Sequence, residues 1–120
     1  MGTNQPETPI IEFFKTHGYS VTAPITLRGL SGFDERFDFS ATKGEEQIVI
    51  DAVLGKSVVG PDKVVAFFAK VMDAKPRRSI LICSPSLNHD AQSLVSMYKL
   101  EAVTANDVGN ILLKLSQIFD

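Results

Sequence analysis

Two carboxylates, Asp38 and Asp51, lie in segments that read as neighbouring strands, Phe37 to Thr42 and Gln47 to Leu54. Lys43-Gly44-Glu45-Glu46 joins them in hairpin fashion. Positions equidistant from the centre of such a turn face each other, and Asp38 and Asp51 share nearly the same centre as Lys43 and Glu46. The two acids are therefore expected nearly opposite on the sheet, on one face or a single register step apart. A hard divalent cation such as Mg2+ takes oxygen donors and is commonly held by one or two carboxylates together with water and a substrate phosphate. Asp38 and Asp51 suit that chemistry, and Glu12, on a preceding helix, is a third candidate oxygen donor. The plainer alternative is a pair of polar residues hydrogen-bonding locally in otherwise apolar strands. A lone charged carboxylate within Ile50-Asp51-Ala52 is costly if buried and ordinary if that face opens into a cleft.

Other chemistries have weaker support. His17 beside Gly18 suits a helix C-terminus and His89 a capping turn, and neither has a partner at metal-ligand spacing. Ser84-Pro85-Ser86 lacks the Gly-x-Ser-x-Gly context of a nucleophile elbow and reads as a strand-to-helix loop at the carboxyl end of a sheet, where ligands tend to bind. No phosphate-binding Walker loop or dinucleotide glycine motif is present. Cys83, inside Ile80-Leu-Ile-Cys-Ser84, reads as a small buried hydrophobe. Lys70, Lys75, Arg77 and Arg78 form the densest cation group; they read either as a solvated helix end or as contacts to a phosphate backbone.

The elements that must position these residues follow from periodicity. Thr8-Pro9 reads as an N-cap and first helical residue, ahead of Ile10, Ile11, Phe13 and Phe14, with Gly18 as the stop. Tyr19 to Leu27 reads as a strand disturbed by Pro24, and Gly29 to Gly32 as a turn. After the two acid-bearing strands, Val64, Val65, Phe67, Phe68, Val71 and Met72 recur at helical spacing. Ser79 to Cys83 is an apolar run suited to a strand covered on both faces, Asn88-His-Asp90 caps a third helix, Leu100 to Thr104 is a short strand, and Asn106 caps a last helix. The expected order is α-β-β-β-α-β-α-β-α: an α/β domain with a mixed central sheet of about five strands and helices on both faces.

With 120 residues, 44% of them hydrophobic and 22% charged, the chain fits one domain over residues 8–120, behind a loose tail at residues 1–7. A net charge of -2 argues against bulk electrostatic attraction to nucleic acid and leaves room only for a local basic patch. No apolar run approaches the roughly 20 residues of a membrane span, and the polar start lacks a signal-peptide pattern, so the expectation is a cytoplasmic protein.

Ser31-Gly-Phe-Asp-Glu-Arg-Phe-Asp38, the Asp51 strand and Ser79-Ile-Leu-Ile-Cys-Ser84 followed by Ala91, in this element order, resemble the PD-(D/E)XK nuclease superfamily and within it the Mrr-like restriction endonuclease group. The resemblance covers nearly the whole chain and implies a three-layer restriction-endonuclease-like fold. It implies that Asp38 and Asp51, with Glu12 where the first-helix glutamate is kept, are Mg2+ ligands. Val53 stands where the family has its lysine, which is implied to orient the attacking water and stabilise charge on the phosphate. Valine does neither. The favoured expectation is a domain impaired in cleavage that binds nucleic acid or acts as an interaction module. One alternative is an active Mg2+-dependent DNA endonuclease in which Lys70, Lys63 or Lys56 has taken over; another is a structural or regulatory homodimer that binds no nucleic acid. In the first two readings the partner is DNA, with Lys70, Lys75, Arg77 and Arg78 as the nucleic-acid contacts, and self-association as a dimer is expected.

Overall fold

The computed structural model describes residues 6–119. Most of the expected tail therefore lies outside the described residues. The chain runs α1 (Thr8–Thr16), β1 (Ser20–Thr22), β2 (Ile25–Arg28), β3 (Asp34–Phe37), β4 (Phe39–Lys43), β5 (Glu46–Leu54), α2 (Pro61–Ala74), β6 (Arg78–Ser84), α3 (His89–Tyr98), β7 (Ala102–Thr104) and α4 (Val108–Phe119). Five strands form a mixed sheet in the order β1-β4-β5-β6-β7, antiparallel from β1 to β5 and parallel from β5 to β7. The helices lie on both faces, as the mixture of hairpin and crossover connections requires. No helix among the described residues is long and apolar enough to cross a membrane.

Side chains alternate across a strand, and β5 divides its residues accordingly. Ile48 and Ile50 join a core with Ile10 and Phe14 of α1 and Ile111 and Leu115 of α4. Val49 joins a second core with Val64 and Phe67 of α2 and Ala91 of α3. Asp51 and Val53 continue the second face, so the acid emerges beside α2. Cys83 is fully buried in that layer as expected, and burial pushes its thiol up to about 12.

The strands before β5 are cut differently from the expectation. Tyr19 to Leu27 is two strands, β1 and β2, divided at Ala23-Pro24, where proline has no N–H to give to a ladder. The expected strand Phe37 to Thr42 is broken at Asp38. Its first residue belongs to β3, which pairs with β2 as a separate hairpin from Ile25↔Phe37 to Arg28↔Asp34. Its remainder, β4, pairs with β1 and β5. Phe37 and Phe39 would share a face in a continuous strand; instead Phe37 is buried in the α2 layer and Phe39 in the α1 layer. The bend at Asp38 makes that exchange, giving the order α-β-β-β-β-β-α-β-α-β-α.

Helix ends follow the expected chemistry with two shifts. Asn88 Oδ1 accepts from the Ala91 N–H at 2.8 Å, capping α3. On α4 the cap is Asp107, whose Oδ1 accepts from the Asn110 N–H at 2.9 Å, and not Asn106. In α1 Thr8 is already helical, and Glu7 occupies the N-cap position without a side-chain cap.

Candidate active site

The ladder between β4 and β5 ends at the pair Phe39↔Ile50. One step further, where β4 bends away, backbone N–H groups lose their cross-strand partners and the two acids replace them. The Asp38 N–H donates to Asp51 Oδ1 at 2.9 Å, and the Ala52 N–H donates to Asp38 Oδ2 at 2.8 Å. This reciprocal pair satisfies buried backbone donors and holds both carboxylates in one orientation. The local-bonding alternative thus accounts for one oxygen of each acid. The other two are open to further chemistry: Asp51 Oδ2 accepts from Lys70 Nζ, and Asp38 Oδ1 accepts no hydrogen bond among the described residues.

Lys70 arrives from α2. Its Nζ donates to Asp51 Oδ2 and, at 2.6 Å, to the backbone carbonyl of Arg36, and lies 4.6 Å from the centre of the Phe37 ring. Helical spacing puts Lys63, Ala66, Phe67 and Lys70 on one face of α2. Those four residues, with Arg36, Asp38, Asp51, Val53 and Leu81, line a cleft of about 320 Å3. Val53 sits in the same cleft as Asp51 without contributing charge, and the ammonium that reaches Asp51 belongs to Lys70 of α2. Lys63 lines the cleft as well; Lys56 lies in the adjoining one, which shares Val53 and Lys63.

The Ser31-Gly32 segment is tied to the same helix. Asp73, one residue before the end of α2, accepts from the Ser31 N–H at 2.8 Å and the Ser31 hydroxyl at 2.7 Å, while the Leu30 N–H donates to the Asp73 carbonyl at 2.9 Å. The Ser31 hydroxyl, with the Glu35 side chain next, holds the Asp73 carboxyl below the usual carboxylate range. Glu35 is pushed up by its bond to Asp73. Gly29 is required here because a Cβ on it would come within 1.8 Å of Asp73 Oδ2. The turn that precedes Asp38 is thereby docked on the helix that carries Lys70.

The remaining candidates lie elsewhere. Glu12 is exposed, 3.6 Å from Lys15, and lines neither the cleft nor its neighbours. The acid at the start of α1 that shares a cleft with Asp38 is Glu7, which sequence reasoning passed over as part of a tail. Among the described residues no three His, Cys, Asp or Glu side chains come together as a metal-binding group. Of the four expected nucleic-acid contacts only Lys70 lines the cleft. Lys75 is the left-handed residue that closes α2, and Arg77 Nη1 donates to the Glu45 carbonyl at 3.0 Å. Arg78 makes a two-pronged bond to Glu101 at 2.9 and 2.7 Å, stands 3.5 Å from Glu46 and stacks over Phe119 at 4.8 Å. Glu101 raises the Arg78 pKa further, as expected of a cation in this pairing. Arg78 pairs in register with Ile48, and Leu81 with Asp51, so this cluster lies three residues back along the sheet, about 10 Å away. Sequence reasoning missed Arg36 and Asp73. The signal within reach was the spacing of Lys63, Phe67, Lys70 and Asp73 along one helix.

The fold has relatives. The chain is similar to the crystal structure of AF1548, described as a protein of unknown function, with a TM-score of 0.71 and 11% sequence identity over 91% of this chain. It spans 64% of that chain's length, and a likeness at this identity speaks for the fold alone. No curated protein matches the chain. The family model of the Mrr_cat restriction endonucleases matches residues 2–112, nearly the full length. The chain belongs to this restriction endonuclease family.

Proposed function

We propose that the domain is a divalent-metal-dependent phosphodiesterase acting on DNA, with Lys70 in place of the lysine that Val53 has displaced. One observation carries the reading: the Lys70 ammonium meets Asp51 inside the cleft that also holds Asp38. Two neighbouring carboxylates, fixed by backbone bonds and lining one cleft, form a hard-oxygen donor set of the kind that suits Mg2+. An ion bound there would supply Lewis-acid polarisation of a phosphate oxygen. Asp38 and Asp51 would hold it. Lys70, oriented by Asp51 and the Arg36 carbonyl, provides the positive charge that stabilises the phosphate as negative charge builds on it. Val53 and Leu81 give the same cleft an apolar part of its lining.

A second reading, a nucleic-acid-binding module that no longer cleaves, draws on the absence of a third converging acid among the described residues. The two readings differ in one assay. Nicking of supercoiled plasmid with Mg2+ or Mn2+ is expected from the wild type, and Lys70→Met, which keeps the stem over Phe37 and removes the charge, lowers it by about 100-fold or more. Absence of nicking by the wild type with bound DNA retained would favour the second reading.

A further inference from the structure

Three neighbouring clefts share lining residues. The central one, about 320 Å3, shares Arg36 and Asp38 with a cleft of about 310 Å3 beside the start of α1, where Glu7, Thr8, Ile11, Ala23 and Pro24 complete the lining. On its other side it shares Val53 and Lys63 with a cleft of about 370 Å3 that runs past Lys56 to the start of α2 at Gly60 and Asp62. Asp38, Asp51 and Lys70 thus line the middle one of three adjoining hollows, a groove whose parts meet at Arg36 and Asp38 on one side and at Val53 and Lys63 on the other.

Cations other than Lys70 also line that groove. Arg77 and Arg78 are engaged with Glu45, Glu46 and Glu101. Arg36 and Lys63 have exposed side chains and make no ion pair among the described residues, and the same is true of Lys56. One stands on each side of the central acids, with Lys56 further along the second arm. Each arm also carries an acid, Glu7 or Asp62, so the groove is not a uniformly basic channel. Affinity must then come from a few placed cations, which agrees with a chain of net charge -2.

We infer that the groove holds a single phosphodiester strand across the carboxylates, with Arg36 gripping phosphate on one side of the reacting position and Lys63, assisted by Lys56, on the other. The strand is either free or one of the two strands of a duplex. This deepens the proposed function and rests on it for the reacting position, although the strand path is tested without cleavage. Arg36 and Lys63 act on strand placement, so they set affinity and salt dependence, whereas Lys70 sets the rate.

The test is fluorescence anisotropy of labelled single-stranded and duplex DNA oligonucleotides with Ca2+ in place of Mg2+, over a range of salt. Wild-type binding should weaken with salt. Arg36→Ala and Lys63→Ala should each raise Kd several-fold and lower the magnitude of the slope of log K against log salt by about 0.7 on a single strand or about 0.9 on a duplex. The size of that change, and which oligonucleotide binds, separates the free strand from the duplex. Arg77→Ala serves as the control and should leave both quantities near wild type. Unaltered binding in Arg36→Ala and Lys63→Ala, or no binding by the wild type to either oligonucleotide at low salt, overturns the strand path. Binding that responds as stated in a protein that cleaves nothing leaves the path standing and removes the proposed catalysis; cleavage with unaltered binding in both variants does the reverse.

Discussion

Each acid in the cleft serves two purposes with its two oxygens. Asp38 Oδ2 and Asp51 Oδ1 replace ladder hydrogen bonds where β4 leaves β5, while Asp51 Oδ2 accepts from Lys70 and Asp38 Oδ1 accepts no hydrogen bond among the described residues. This division predicts what an amide does at the same place. Asp38→Asn keeps a carbonyl able to accept from the Ala52 N–H, so unfolding in urea should shift by no more than about 1 kcal/mol. Mg2+-dependent cleavage should fall by about 100-fold or more because the anionic donor is gone. Equal losses of stability and activity would mean that Asp38 is a structural residue only. The pairing of Asp38 and Asp51 was legible in the sequence because a hairpin turn fixes register, and residues placed symmetrically about it must meet. Which of Lys56, Lys63 and Lys70 meets Asp51 was not fixed by the same reasoning. It depends on how α2 lies against the sheet, which spacing along one helix leaves open. Glu12 and Glu7 show the same limit: both belong to the first helical segment, and only the entry path of the chain decides which one approaches Asp38.

At the scale of elements, the β2–β3 hairpin is a strut between the bend at Asp38 and the end of α2. Its docking rests on Asp73, so it responds to acid with a defined sign. The Asp73 carboxyl is held low by the Ser31 hydroxyl and Glu35, so its contribution is complete above the ordinary carboxylate value and is lost as pH falls through its lowered folded value. Glu35, raised by its bond to Asp73, contributes oppositely: fully below its ordinary value, and less as pH rises through its raised one. Protection of the Ser31 amide, followed by NMR, should therefore persist as pH falls past the ordinary aspartate value of about 3.9 and be lost only as it falls through the lowered folded value of Asp73, and Asp73→Asn should flatten the profile. Gly29→Ala should undock the hairpin at neutral pH, because the added methyl takes the position of Asp73 Oδ2. Unchanged Ser31 protection in Gly29→Ala would contradict the strut. The long apolar and helical elements were readable from periodicity. The hairpin was not, since Asp34-Glu-Arg-Phe37 has mostly exposed, charged side chains and is a strand only because β2 supplies its partner.

Across the whole molecule, the sheet separates charge used for stability from charge used at the cleft. Near the start of β6, Arg78 ties Glu101 beside β7 to Glu46 on β5 and covers Phe119 of α4, while Tyr19 donates to Glu46 at 2.9 Å. Burial, followed by the bond to Glu46, raises the Tyr19 hydroxyl. Farther along the same strands, towards their carboxyl ends, the cleft keeps Arg36, Lys63 and Lys70. Arg78→Ala should accordingly cost about 1 kcal/mol of stability and leave DNA affinity and its salt slope unchanged; a smaller slope would place Arg78 in the interface after all. The central claim, that Lys70 supplies what Val53 lacks, is tested most directly by plasmid nicking with Mg2+ for the wild type, Lys70→Met, and Lys70→Met combined with Val53→Lys. Val53 lines the same cleft on the Asp51 face of β5, so a lysine there can return an ammonium to the acids. The account predicts cleavage by the wild type, a loss of about 100-fold or more in Lys70→Met, and partial recovery in the combined variant; undiminished cleavage by Lys70→Met, or none by any of the three, would contradict it.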